Sequence, residues 1–137
     1  MPTDASSAPP LVERHPQPCF LVTCKDAQGK SHLRETHLDG HLSHVETHWR
    51  RYVAAGPIRN PGEDALVGSV FLVLADDLED AKALMEGDPY VTCGLYAQVE
   101  YKHLTLSIGQ FIGGKIWGDP DSIRSRALGG AADGASV

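Results

Sequence analysis

Four histidines, His37, His41, His44 and His48, recur at intervals of three or four residues. At ~100° per residue they share one narrow stripe if the segment is helical. Two chemistries use such a stripe. Imidazoles one turn apart can share a metal ion, as they do on metalloprotease helices. Leu38 and Asp39 follow His37, so no H-E-x-x-H pattern is present, and a third ligand would have to come from elsewhere. The other chemistry is proton transfer. Imidazole titrates nearest neutrality, and it works best when a carboxylate holds its second nitrogen and fixes the tautomer. Asp88 is the carboxylate placed for this. It opens a fresh turn in Asp88-Pro89-Tyr90, directly after the one helix that can return the chain to the histidine helix. As a helix-capping residue it can offer one oxygen to the backbone and the other to an imidazole.

Other nucleophile signals are weak. Cys19 and Cys24 belong to an apolar strand-like run, where a thiol is usually inert filling. There is no G-x-S-x-G elbow, and Gly113-Gly114-Lys115 lacks the rest of a phosphate-binding loop. No cofactor is implied by any of these residues.

The elements that must position His41 and Asp88 follow from the pattern of the chain. Cys19–Cys24 and Leu66–Ala75 are β-prone runs, and Val53–Ile58 can start another strand. Tyr96–Leu106 alternates, with Val99 and Tyr101 on one side and Gln98, Glu100 and Lys102 on the other. Ser31 is placed to cap a helix running from about His32 to Tyr52. In it Leu38, Leu42, Val45 and Trp49 form a stripe one position on from the histidines, and this is the expected core face. Asp76 or Asp77 caps a second helix over Leu78–Glu86, and Gly87 ends it as a left-handed cap. The order strand, helix, strand, strand, helix, strand is a split βαβ, the α+β ferredoxin-like arrangement, with the helices on one face of an antiparallel sheet. The other face needs a cover, which a second copy of the chain can supply; a homodimer is expected.

Composition gives the boundaries. Residues 1–17 hold four of the nine prolines and read as a flexible arm, and 127–137 is Gly/Ala-rich and reads as a disordered tail. Residues 107–126, with Phe111 and Trp117, are too apolar for a free tail and are expected to pack on the domain over 18–106 or on a partner subunit. A net charge of −6 with scattered Lys and Arg argues against a nucleic-acid partner. No apolar run approaches a membrane span, no signal-peptide pattern stands at the N-terminus, and the cysteine count is odd without C-x-x-C. A cytoplasmic location is the expectation.

Read in order, Gly40-His41-Leu42, Ala55-Gly56-Pro57, Leu66–Ala75, Asp77-Leu78-Glu79-Asp80-Ala81, Asp88-Pro89-Tyr90 and Gly94-Leu95-Tyr96 resemble the YCII-related (YciI-like) family. The resemblance covers about two-thirds of the chain. It implies a dimeric α/β-barrel of ferredoxin-like subunits with a catalytic His–Asp pair. The Asp maps onto Asp88 and the His onto His41, where Gly40 stands in place of the usual Ala. His37, also followed by Leu, is the rival. Some members of that family are lyases or related acid–base enzymes of aromatic-compound breakdown. The proline-rich arm, the extra histidines and the extension after Leu106 depart from the pattern.

Three functions are therefore in play. The first is an acid–base enzyme of lyase or isomerase type acting on a small cyclic or enolic metabolite. His41 and Asp88 would be catalytic, and His37, His44 and Tyr90 would contact substrate. The second is a non-catalytic protein that binds a small molecule or a partner enzyme through the same cleft. The third is a metal-dependent enzyme using the histidine stripe.

Overall fold

The computed structural model describes residues 7–129. The chain forms two compact units, Gln17–Leu104 and a second one made of the segments before and after it. The larger unit carries the sheet. β1 (Cys19–Asp26) and β3 (Leu66–Leu74) are rich in β-branched and aromatic residues, and buried and half-buried positions alternate along most of each, as suits a pleated surface buried more on one side. With β2 (Tyr52–Arg59) and β4 (Tyr96–Leu104) they make an antiparallel sheet in the order β2-β3-β1-β4. Two helical segments, α1 (His32–Thr36) and α2 (Leu38–Thr47), connect β1 to β2. Two more, α3 (Leu78–Glu86) and α4 (Pro89–Thr92), connect β3 to β4. This is the ferredoxin-like split βαβ.

The register sets the two faces. Phe20 pairs with Val73, Val22 with Phe71 and Cys24 with Ser69, and all six are buried. The hydrophobic ones pack against Ala81, Leu84 and Met85 of α3. Full burial of a side chain the size of Phe20 or Met85 contributes about 1.5–3 kcal/mol. On the opposite face Leu21, Val70 and Leu72 are only half-buried. In β4, Val99 and Tyr101 pack on the core while Gln98, Glu100 and Lys102 are exposed, as their alternation requires.

The helix caps are mixed. Asp77 caps α3 by accepting from the Asp80 N–H at 2.8 Å. Asp88 caps α4, with Pro89 in its first turn. Ser31 precedes α1 but makes no side-chain cap. Gly87 was expected in the left-handed region and is not there, at φ −79°. It has to be small for another reason. A Cβ on it would stand 2.7 Å from His44 Cε1.

The single helix expected from His32 to Tyr52 is not continuous. It breaks at His37, whose φ and ψ of −108° and 16° leave helical geometry, and again at His48, before a tight turn over Trp49–Arg51. Its apolar stripe is not core either. Leu38 and Leu42 are 41% exposed and Trp49 is 60% exposed. A different flank of α2 makes the close approach, to α4, where a Cβ on Gly40 would lie 2.9 Å from Pro89 Cγ.

In the smaller unit β5 (Ile108–Gly109) pairs with β6 (Gly114–Lys115), and α5 spans Pro120–Gly129. Residues of the segment read as a flexible arm join this hairpin. Val12 N–H donates to the Lys115 carbonyl at 2.7 Å, and Lys115 N–H donates to that of Pro10 at 2.9 Å. A proline-rich composition carries no signal for pairing with a strand a hundred residues away. Phe111, at the tip of the hairpin, is 83% exposed. Of the tail read over 127–137, residues 130–137 lie outside the described residues. Among the described residues no helix is long and apolar enough to cross a membrane.

Candidate active site

Asp88 is the most deeply buried ionisable side chain of the site, at 0% exposure. A carboxylate so placed must be paired or hydrogen-bonded, because removal from water costs several kcal/mol. Its two partners come from different elements. Oδ1 accepts from the Tyr90 N–H at 2.9 Å, as the α4 cap requires. Oδ2 lies 2.8 Å from Nδ1 of His41 on α2, and Oδ1 lies 3.0 Å from the same nitrogen. The close α2–α4 approach at Gly40 and Pro89 brings the two side chains together.

The carboxylate fixes more than distance. With Nδ1 committed to Asp88, the neutral ring carries its proton on Nδ1 and leaves Nε2 as the acceptor. Tyr90 fixes the plane. Its ring stacks on the His41 ring with centroids 3.9 Å apart and only 3° between planes. The Tyr90 hydroxyl in turn donates to the Arg34 carbonyl at 2.6 Å. Burial pushes the Tyr90 phenol above its ordinary pKa, so it stays a neutral donor at physiological pH. His41 is thus held by a hydrogen-bonded carboxylate at one edge and by an aromatic ring against its face. Its side chain remains 16% exposed.

That exposure is toward a cleft of about 580 Å³. The cleft lies between α1–α2 and the β2–β3 edge of the sheet. Leu38, Leu42 and Val45 form one wall and Ala55, Pro57 and Phe71 the other. This is where the stripe misread as core is used. A mostly apolar cleft with a few convergent polar groups is the usual form of a small-molecule site.

The other histidines go elsewhere. His44 turns its Nε2 to the Leu84 carbonyl, 2.8 Å away, and packs beside His48 with ring centroids 4.7 Å apart. His37 sits in the break between α1 and α2. Neither His37 nor His44 lines the cleft. Of the expected site residues, the structure brings together His41, Asp88 and Tyr90 and leaves His37 and His44 outside. The histidine stripe is not a ligand set as it stands. Among the described residues no group of three His, Cys, Asp or Glu could hold a metal ion. Cys19 and Cys24 are buried, and burial raises Cys19 to about 11 and Cys24 to about 12, so neither is a thiolate near neutrality.

One polar group of the cleft escaped sequence reasoning. Arg34, on α1, makes a two-pronged bond to Asp26 at the end of β1, with Nε 3.1 Å from Oδ2 and Nη2 2.9 Å from Oδ1. Nη2 also reaches the Gly68 carbonyl at 3.0 Å and Ser69 Oγ at 3.3 Å. Ser69, buried in β3, further accepts from the Tyr96 hydroxyl at 2.9 Å. The available signal was faint. It consisted of an arginine at the start of the histidine helix and an aspartate closing the preceding strand.

Comparison with curated proteins returns no match. Among solved structures, the chain is similar to 5-chloro-2-hydroxyhydroquinone dehydrochlorinase from Burkholderia phenoliruptrix AC1100, in complex with 2,5-dihydroxybenzoquinone. The TM-score is 0.59 at 23% identity, over 67% of this chain and 96% of that one. At that identity the likeness speaks to the fold. The model of the YCII-related domain matches residues 19–105, a span that contains the whole sheet, both helical connections and the cleft. The chain belongs to the YCII-related family.

Proposed function

We propose that the cleft is the active site of a small acid–base enzyme of lyase or isomerase type, acting on a cyclic enolic or phenolic metabolite. The observation that carries this reading is the His41 imidazole at the cleft wall, its Nδ1 held 2.8 Å from a fully buried Asp88. Nε2 would take a proton from a ring carbon or hydroxyl of the substrate. The released electron pair would then expel a leaving group or shift a double bond. Asp88 would offset the positive charge that develops on the ring, and Tyr90 would keep its plane fixed. The apolar walls suit a single flat ring, and the relative of the same fold is named for the dehydrochlorination of a hydroquinone.

The half-buried sheet face around Leu21, Val70 and Leu72 supports a homodimer closed sheet to sheet. Light scattering should return twice the 14.7 kDa chain mass. A cytoplasmic home suits three free cysteines.

The activity is tested with a panel of halogenated hydroquinones and cyclic enols, followed by ultraviolet absorbance and chloride release. The wild type should turn over at least one member, and His41→Ala should lower its rate by about 10²–10⁴-fold. Tight binding of the panel with no turnover would instead favour a non-catalytic binding protein.

A further inference from the structure

The cleft has a second polar corner that the His41–Asp88 reading does not use. We propose that Arg34, with Ser69 beside it, is an anion-receiving subsite that binds one negatively charged ring oxygen of the substrate, a phenolate or enolate oxygen, while His41 acts on the same ring. This rests on the cleft being the substrate site, as above.

Three observations carry it. First, the guanidinium is held in place before anything binds. Asp26, the Gly68 carbonyl and Ser69 Oγ fix its Nε and Nη2, and its side chain is only 14% exposed. Donors fixed in advance need no reorganisation when charge arrives. Second, those bonds are all made by Nε and Nη2, which leaves Nη1 out of them, and Arg34 lines the cleft. Ser69 also lines it. Its oxygen already receives bonds from Arg34 and from Tyr96, which leaves its own hydroxyl hydrogen available to a ligand. Burial raises the Tyr96 phenol, which keeps that group a donor toward Ser69. Third, Arg34 and His41 are set against the same aromatic ring. The Arg34 Cζ is 5.7 Å from the Tyr90 ring centroid, and the His41 ring is stacked on it. One flat ring in the cleft can therefore meet a proton acceptor at one edge and fixed donors at another.

Asp26 already balances the charge of Arg34, so the selectivity comes from directed donors rather than from net positive charge. Glu35, exposed and also lining the cleft, disfavours a second negative charge. The ligand class is therefore a cyclic monoanion.

The test compares two neutral-pH probes by titration calorimetry. They are 1,3-cyclohexanedione, which is an enolate monoanion, and its uncharged O-methyl enol ether. The ratio of the two affinities within one variant cancels any general loss of folded protein. The wild type should prefer the enolate at least tenfold. Arg34→Gln should bring the ratio close to one, Arg34→Lys should restore part of it, and Ser69→Ala should lower it less. His41→Ala should leave the preference in place. Equal affinities in the wild type, or a preference that survives Arg34→Gln, would overturn the subsite. Loss of turnover in His41→Ala with the preference indifferent to Arg34 removes this inference and keeps the proposed function. An Arg34-dependent preference without turnover of any cyclic enol does the reverse.

Discussion

Two helices rest on the same face of the same sheet, and they do different work. α3 is capped by Asp77 and buries Ala81, Leu84 and Met85 against Phe20, Val22 and Phe71. α2 has no side-chain cap and buries no residue, although its apolar stripe is just as regular. Its leucines stop short of the sheet and wall a cleft, and its histidine flank meets α4 instead. One connection fills the core and the other walls a cleft. Helical periodicity records that an apolar face exists, not what it faces.

The sharpest way to break that comparison is at the point where the two connections touch. Asp88→Asn keeps a cap acceptor for the Tyr90 N–H, so the fold should survive. The amide would donate to Nδ1 and move the His41 proton to Nε2, the wrong nitrogen for a base. Turnover of whichever panel member the wild type accepts should fall by about 10²–10⁴-fold, with the near-ultraviolet dichroism unchanged. Full activity in a folded Asp88→Asn protein would separate the pair from the chemistry.

A matched pair of truncations tests the two helices directly. Met85→Ala empties a site that is 0% exposed and should cost about 2–5 kcal/mol in urea unfolding. Leu42→Ala, on a residue 41% exposed, should cost under about 1 kcal/mol, because little is left unfilled behind it. Its effect should show as weaker binding of a cyclic ligand. Comparable stability losses at the two positions would mean that α2 is a core helix after all.

Much of the frame was legible because it rests on local signals. The apolar runs of β1 and β3, the alternation of β4 and the Asp88-Pro89 start each declare themselves within a few residues. The contact between His41 and Asp88 follows from topology, since the split βαβ lays both connections on one face. What sequence could not give is long-range. Nothing local to Leu38 and Leu42 says that β2 stands away from them far enough to leave a cleft. His44 differs from His41 only in what lies opposite, a helix-end carbonyl of Leu84 rather than a carboxylate. Gly87 is small because of His44, forty-three positions earlier, and not because of its own backbone. Arg34 was passed over for the same reason. Its partners Asp26, Gly68 and Ser69 come from two strands.

The central claim is that Asp88 sets His41 up as a base through Nε2, and the protonation of the ring can be observed directly. Long-range proton–nitrogen correlation spectra of ¹⁵N-histidine-labelled protein, assigned with His41→Ala and recorded at a pH where the ring is neutral, report which nitrogen carries the hydrogen. The wild type should show the Nδ1–H tautomer, and Asp88→Asn should switch it to Nε2–H. A neutral wild-type His41 with its hydrogen on Nε2 would contradict it, since that nitrogen could then accept no proton from a substrate.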